Sequence, residues 1–178
     1  MHEFTIRPAS RDDVTAISAV MRESVAQLGR TVYTDQQIAS SLQFICRPDE
    51  QLIDDGTYFV AVIDSEIAGC GGWSRRQKVY SGSAASGGED ALLDPNTDAA
   101  RIRAMFVRPI YARRGIGRAI LQHSEERAIA EGFRRFQLVA MRSAGTLYES
   151  CGYYAVRESP ITLEEGVMLE CTLMEREA

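Results

Sequence analysis

Ala104-Met105-Phe106-Val107, followed by Ala112-Arg113-Arg114-Gly115-Ile116-Gly117-Arg118, is the stretch that decides the reading of this chain. An apolar, strand-like run leads into a short glycine-containing turn, and a helical pattern follows directly. A strand, a tight turn and a helix start together make a diphosphate cradle. The first backbone N–H groups of a helix have no intrahelical partner and lie at the positive end of its dipole, so phosphate oxygens can satisfy them. Gly115 and Gly117 carry no Cβ that would hold those oxygens away. The guanidinium groups of Arg113, Arg114 and Arg118 can add charge-assisted hydrogen bonds.

Two phosphate ligands are disfavoured by what flanks the loop. No Lys-Ser/Thr pair follows the last glycine, so the nucleotide P-loop with its magnesium-binding hydroxyl is not supported. The dinucleotide fingerprint needs a small residue three places after Gly117, where Ile120 stands. The remaining pattern, Phe106-Val107-Arg108-Pro109-Ile110-Tyr111-Ala112-Arg113-Arg114-Gly115-Ile116-Gly117-Arg118-Ala119-Ile120-Leu121, resembles the R/Q-x-x-G-x-G/A loop of the GNAT-type N-acetyltransferase superfamily. A second motif of that family is echoed downstream by Ala144 and Leu147-Tyr148-Glu149-Ser150-Cys151-Gly152-Tyr153. The chain departs from the pattern at Ala112, where the family usually has Gln or Arg, and at Met141, where it often has Asn.

Working outward, 178 residues fit one α/β domain with a sizeable core, and residues 1–178 are expected to form it. A net charge of −5 gives no basic field for nucleic acid. Cys46, Cys70, Cys151 and Cys171 form no C-x-x-C pair, and there are two histidines, so neither zinc nor a disulfide framework is indicated. No apolar run approaches the ~20 residues of a membrane span, and the first residues carry no signal pattern, so a cytoplasmic location away from membranes is expected.

Phe4 and Ile6 read as a first strand. Ser10 and Asp13 resemble a capping box before Val14, Ile17, Val20, Met21, Val25 and Leu28, which recur at helical spacing until Gly29. Thr34 caps a shorter helix from Asp35 to about Ile45. Residues 57–63 and 67–73 read as a β-hairpin. Residues 76–99, rich in Ser and Gly at first and in turn signals later, read as a long surface loop. Arg101 to Val107 reads as strand four. The helix after the phosphate loop is expected to present Ile116, Ala119, Ile120, His123, Arg127 and Ala130. Phe136 to Met141 follows as strand five, then a short helix with Tyr148, a strand over 152–156 and a closing strand over 167–174. This order agrees with the α+β (mixed α/β) fold of the family, a partly splayed mixed sheet flanked by about four helices.

The resemblance implies an acetyl-CoA-dependent N-acetyltransferase acting on a primary amine by direct transfer in a ternary complex, with no metal. A non-catalytic acyl-CoA-binding or regulatory module is the alternative, and a homodimer is possible. Acetyl-CoA is expected to lay its diphosphate on the N–H groups from Arg113 to Ala119. Its pantetheine amides would pair with the main chain of Met105, Phe106 and Val107 as an added strand does. The resemblance places the Tyr148 phenol by the sulfur as the proton donor to the departing thiolate. No acid stands on strand four or five, where the family often carries its base, which leaves Glu23, Asp98, Glu149 or a water chain. Trp73, Tyr33 and Tyr80 could line the acceptor pocket.

Overall fold

A computed structural model describes residues 4–78 and 91–178. Its elements run β1 (Thr5–Pro8), α1 (Val14–Leu28), α2 (Asp35–Phe44), α3 (Glu50–Asp54), β2 (Tyr58–Ile63), β3 (Glu66–Ser74) and β4 (Ala100–Val107). Then come α4 (Ile116–Ala130), β5 (Arg135–Met141), α5 (Gly145–Ser150), β6 (Tyr154–Glu158), β7 (Ile161–Thr162), β8 (Met168–Leu169) and β9 (Cys171–Glu177). Seven strands form one sheet in the order β1-β2-β3-β4-β5-β9-β6, and β7 with β8 makes a separate ribbon. Neighbours in the large sheet are antiparallel except β4 and β5, which run parallel and meet only at Ala100↔Phe136 and Arg101↔Gln137. Beyond Arg101 the two strands part, which is the splay expected of this fold.

Side chains alternate across β2 because a strand repeats every two residues. Tyr58 and Val60 therefore join Ile17, Val20 and Met21 of α1 on one face, while Ala61 and Ile63 join Ile116 and Ile120 of α4 on the other. Fully burying each Val, Ile or Met among them stabilises the fold by roughly 1.5–3 kcal/mol. Helix starts obey local chemistry. Asp13 accepts from the Ser10 N–H at 2.8 Å and is gripped by both Arg7 guanidinium nitrogens at 2.8 Å, and Thr34 accepts from the Gln37 N–H at 3.2 Å in a capping box.

Several sequence expectations shift. The expected closing strand over 167–174 is broken between β8 and β9, which belong to different sheets, and β6 begins two residues later than the expected 152. Helix α3, capped by Asp49 through the Leu52 N–H, has too few residues to show a period. The buried face of α4 is Ile116, Ile120, Leu121, Ser124, Glu125 and Ala128, rotated from the expected one because Ser124 and Glu125 are polar yet inside. At the neck of the long loop, Arg76 bridges Leu92 and the Leu93 N–H donates to the Arg75 carbonyl at 2.8 Å. The rest of that loop, residues 79–90 with Tyr80, lies outside the described residues.

Candidate active site

Strand β4 carries one residue more than its partner. Cys70 pairs with Phe106 but Gly72 pairs with Arg103, so the extra residue makes a bulge at Ala104, whose φ is +55°. Such a backbone costs on the order of 1–3 kcal/mol for a residue with a Cβ and persists where neighbours hold it. The buried Tyr58 hydroxyl donates to the Ala104 carbonyl at 3.3 Å, and the Cys70 thiol lies 3.9 Å from the same oxygen. Burial pushes the Tyr58 phenol well above its ordinary range, so it stays a donor. A Cβ at Gly71 would stand 2.1 Å from the Met105 sulfur, so glycine there lets the Met105 side chain lie across β3. Past the bulge, Met105, Phe106 and Val107 keep β3 on one side at Gly69 and Cys70, while their other edge has no strand beside it.

That open edge leads straight to the start of α4. A 3-10 turn over Pro109–Tyr111 is followed by left-handed backbone at Arg113 (φ +65°) and Gly115 (φ +83°), which swings the chain into the helix. Ile116, Gly117 and Arg118 have no preceding helical carbonyl for their N–H groups. Ala119 does, because its N–H donates to the Gly115 carbonyl at 2.9 Å, so that N–H is already paired. A Cβ added at Gly117 would meet Leu147 at 3.1 Å and Val107 at 3.5 Å. Arg118 donates to the Ser150 hydroxyl at 3.0 Å and so ties α4 to α5, while Arg114 lies over the Tyr111 ring at 5.5 Å.

A cavity of about 650 Å³ joins these parts. It is lined by Met105, Phe106 and Val107, by Arg113, Gly115, Ile116, Gly117 and Arg118, and by Tyr148. It does not reach Arg114 or Ala119. Burial raises the Tyr148 phenol above its ordinary value, which keeps the group protonated. Its ring meets Tyr153 edge-on at 5.8 Å, and the Tyr153 N–H donates to the Tyr148 carbonyl at 3.0 Å. Tyr153 in turn donates from its hydroxyl to the buried Glu125 of α4 at 2.8 Å, and Arg176 grips the other Glu125 oxygen. The helix whose first turn lines the cavity therefore also anchors the aromatic that packs against Tyr148. Glu125 escaped the sequence reading, since a glutamate in a helix reads as surface until its partners are known.

At the other end the cavity runs under α1 and past Tyr33, whose hydroxyl accepts from the Arg142 N–H at 3.0 Å and donates to the Glu170 carbonyl at 3.2 Å. Trp73 is not there. It is buried in the opposite core against Phe133, with the Arg75 guanidinium over its ring. None of the three acids considered as a base lines the cavity: Glu23 pairs with Arg108 at 3.2 Å, Asp98 accepts from the Asp94 N–H in a turn, and Glu149 is exposed elsewhere. Among the described residues no carboxylate lines it; the charged side chains there are Arg103, Arg113 and Arg118. Arg103 is buried and paired with Asp49. Among the described residues, too, no helix is long and apolar enough to cross a membrane, and no cluster of three metal-ligating side chains occurs.

Comparison with known proteins bears on this geometry. The family model described as acetyltransferase (GNAT) matches residues 23–153. None of the curated proteins compared with the chain matches it by sequence. Similar folds occur in a GCN5-related N-acetyltransferase from Rhodopseudomonas palustris, 20% identical with a TM-score of 0.72 over 98% of this chain and 95% of that one. PaiA N-acetyltransferase from Thermoplasma acidophilum, solved with coenzyme A, is 17% identical with a TM-score of 0.66 over 99% of each chain. YncA from Salmonella typhimurium, solved with its cofactor acetyl-CoA, is 19% identical with a TM-score of 0.63 over 98% of this chain and 93% of that one.

Proposed function

Because this chain belongs to the acetyltransferase (GNAT) family, we propose that it transfers the acetyl group of acetyl-CoA directly to a primary amine bound in the same cavity. The observation that carries this reading is the continuity of one cavity past three features: an unpaired helix start, an unpartnered strand edge and the Tyr148 phenol. The residues present fit the cofactor. Three N–H groups at the positive end of α4 suit a diphosphate, and the glycine at 117 leaves the space between Leu147 and Val107 that a side chain would narrow. The free edge of Met105–Val107 suits the amides of a pantetheine arm.

Bound acetyl-CoA supplies an activated acyl carbon, at which the amine nitrogen forms a bond as the carbon–sulfur bond breaks. Two protons must then be managed: one reaches the sulfur and one leaves the nitrogen. Tyr148 supplies the first as the carbon–sulfur bond breaks and recovers its proton from solvent; burial keeps it neutral beforehand, and Tyr153 packs edge-on against its ring. The second passes to water, as no carboxylate lines the cavity among the described residues. That same lack favours a second reading, a non-catalytic acyl-CoA-binding module. Thiol release from acetyl-CoA in the presence of amines separates the two. In the enzyme, Tyr148→Phe is expected to lower kcat on the order of 10²–10⁴-fold with CoA affinity nearly unchanged, the range for a positioned general acid. Equal turnover of variant and wild type would assign Tyr148 to packing.

A further inference from the structure

The end of the cavity beyond the parted strands is lined mainly by Met21, Val25, Leu28, Tyr33, Ile45 and Ile161, with Ser24 among them. Tyr33 has its hydroxyl engaged by Arg142 and Glu170, which leaves its ring to the cavity. Leu28 is 37% exposed while lining the same space, so this end opens to solvent at the close of α1. Arg103, the charged side chain at this end, is already paired with the buried Asp49. A mainly apolar chamber at the close of α1, at the far end of the cavity from the α4 start, suits the body of a second reactant. A second ammonium group placed there would lose hydration and meet no carboxylate among the described residues, whereas a hydrocarbon body would be stabilised by leaving water.

We infer that this chamber takes the apolar body of the acceptor, so the amine acetylated is one attached to an aromatic or branched hydrocarbon group. The inference rests on the acetyltransferase reading and adds the class of amine to it. Its test is the thiol-release rate from acetyl-CoA with phenethylamine and isoamylamine against putrescine and lysine amide, beside CoA affinity measured by calorimetry. The apolar amines are expected to show kcat/KM higher on the order of 30-fold, the preference that burying one such side chain supports. Leu28→Asp, at a partly exposed position where folding is tolerant, should narrow that ratio while CoA binds as before. Preference for putrescine or lysine amide would overturn the inference and leave the acetyltransferase reading intact. Faster turnover of hexanoyl-CoA than acetyl-CoA with a small amine would also overturn it, by giving the chamber to the acyl tail. Binding of CoA with no turnover of any amine would overturn it together with the transfer reaction. Loss of CoA binding as well would remove the cofactor site itself.

Discussion

Asp13 shows how much a single side chain can hold at a helix start. The Arg7 guanidinium bonds both its oxygens, and the Ser10 N–H and hydroxyl add to the grip, so its carboxyl is lowered from 3.8 to about 2. A carboxylate whose folded pKa is depressed adds stability that is present above its unfolded value and lost as pH falls through the folded one. Urea unfolding at pH 7, 4 and 2.5 should therefore show a loss of stability between about 4 and 2 that is smaller in Asp13→Asn, where Asp55, lowered by Arg76, still contributes. An equal loss in the variant would place the acid sensitivity elsewhere. Ala104 is the other telling residue, because nothing in its sequence context asks for a positive φ. Its strain follows from a register difference between two strands and from the Tyr58 hydroxyl that holds the bulge carbonyl.

Among the elements, α4 links the two ends of the proposed chemistry: its first turn offers free N–H groups, and Glu125 in its third turn holds Tyr153 beneath Tyr148. Tyr153→Phe keeps the ring and removes the hydroxyl, leaving buried Glu125 with one partner fewer. Chemical denaturation should register a loss of about 1–3 kcal/mol, the range for an orphaned buried polar group. A change under about 0.5 kcal/mol would show that Arg176 alone satisfies the carboxylate. The strand, turn and helix start around Gly115 and Gly117 were legible in the sequence because their signals are local: an apolar run, two glycines, then helical spacing. So were the capping boxes that open at Ser10 and Thr34. The polar buried face of α4 was not, since Ser124 and Glu125 bury only because Ile120, Tyr153 and Arg176 supply partners, from as far as 51 residues away for Arg176. The break between β8 and β9 was equally hidden, as an apolar run reads the same whether it joins one sheet or two. The three acids considered as bases lie off the cavity for a related reason. Their sequence positions could not show that Arg108, a turn and the surface hold them away from the cavity.

Across the whole molecule, the sheet is two halves joined through a short parallel contact at Ala100 and Arg101, and the cavity follows from their separation. One half brings β4 and α4, the other brings β5 and α5, and the proposed cofactor site exists only where they diverge. The account stands on acetyl-CoA lying in that gap with its diphosphate on the α4 start. Calorimetric titration of CoA into wild type and Gly117→Val tests this directly, since the added side chain would project between Leu147 and Val107. The account predicts saturable binding to wild type and a loss of affinity on the order of 100-fold or more in the variant, about 2.7 kcal/mol. Unchanged affinity in a folded Gly117→Val protein, or no binding to wild type, would contradict it.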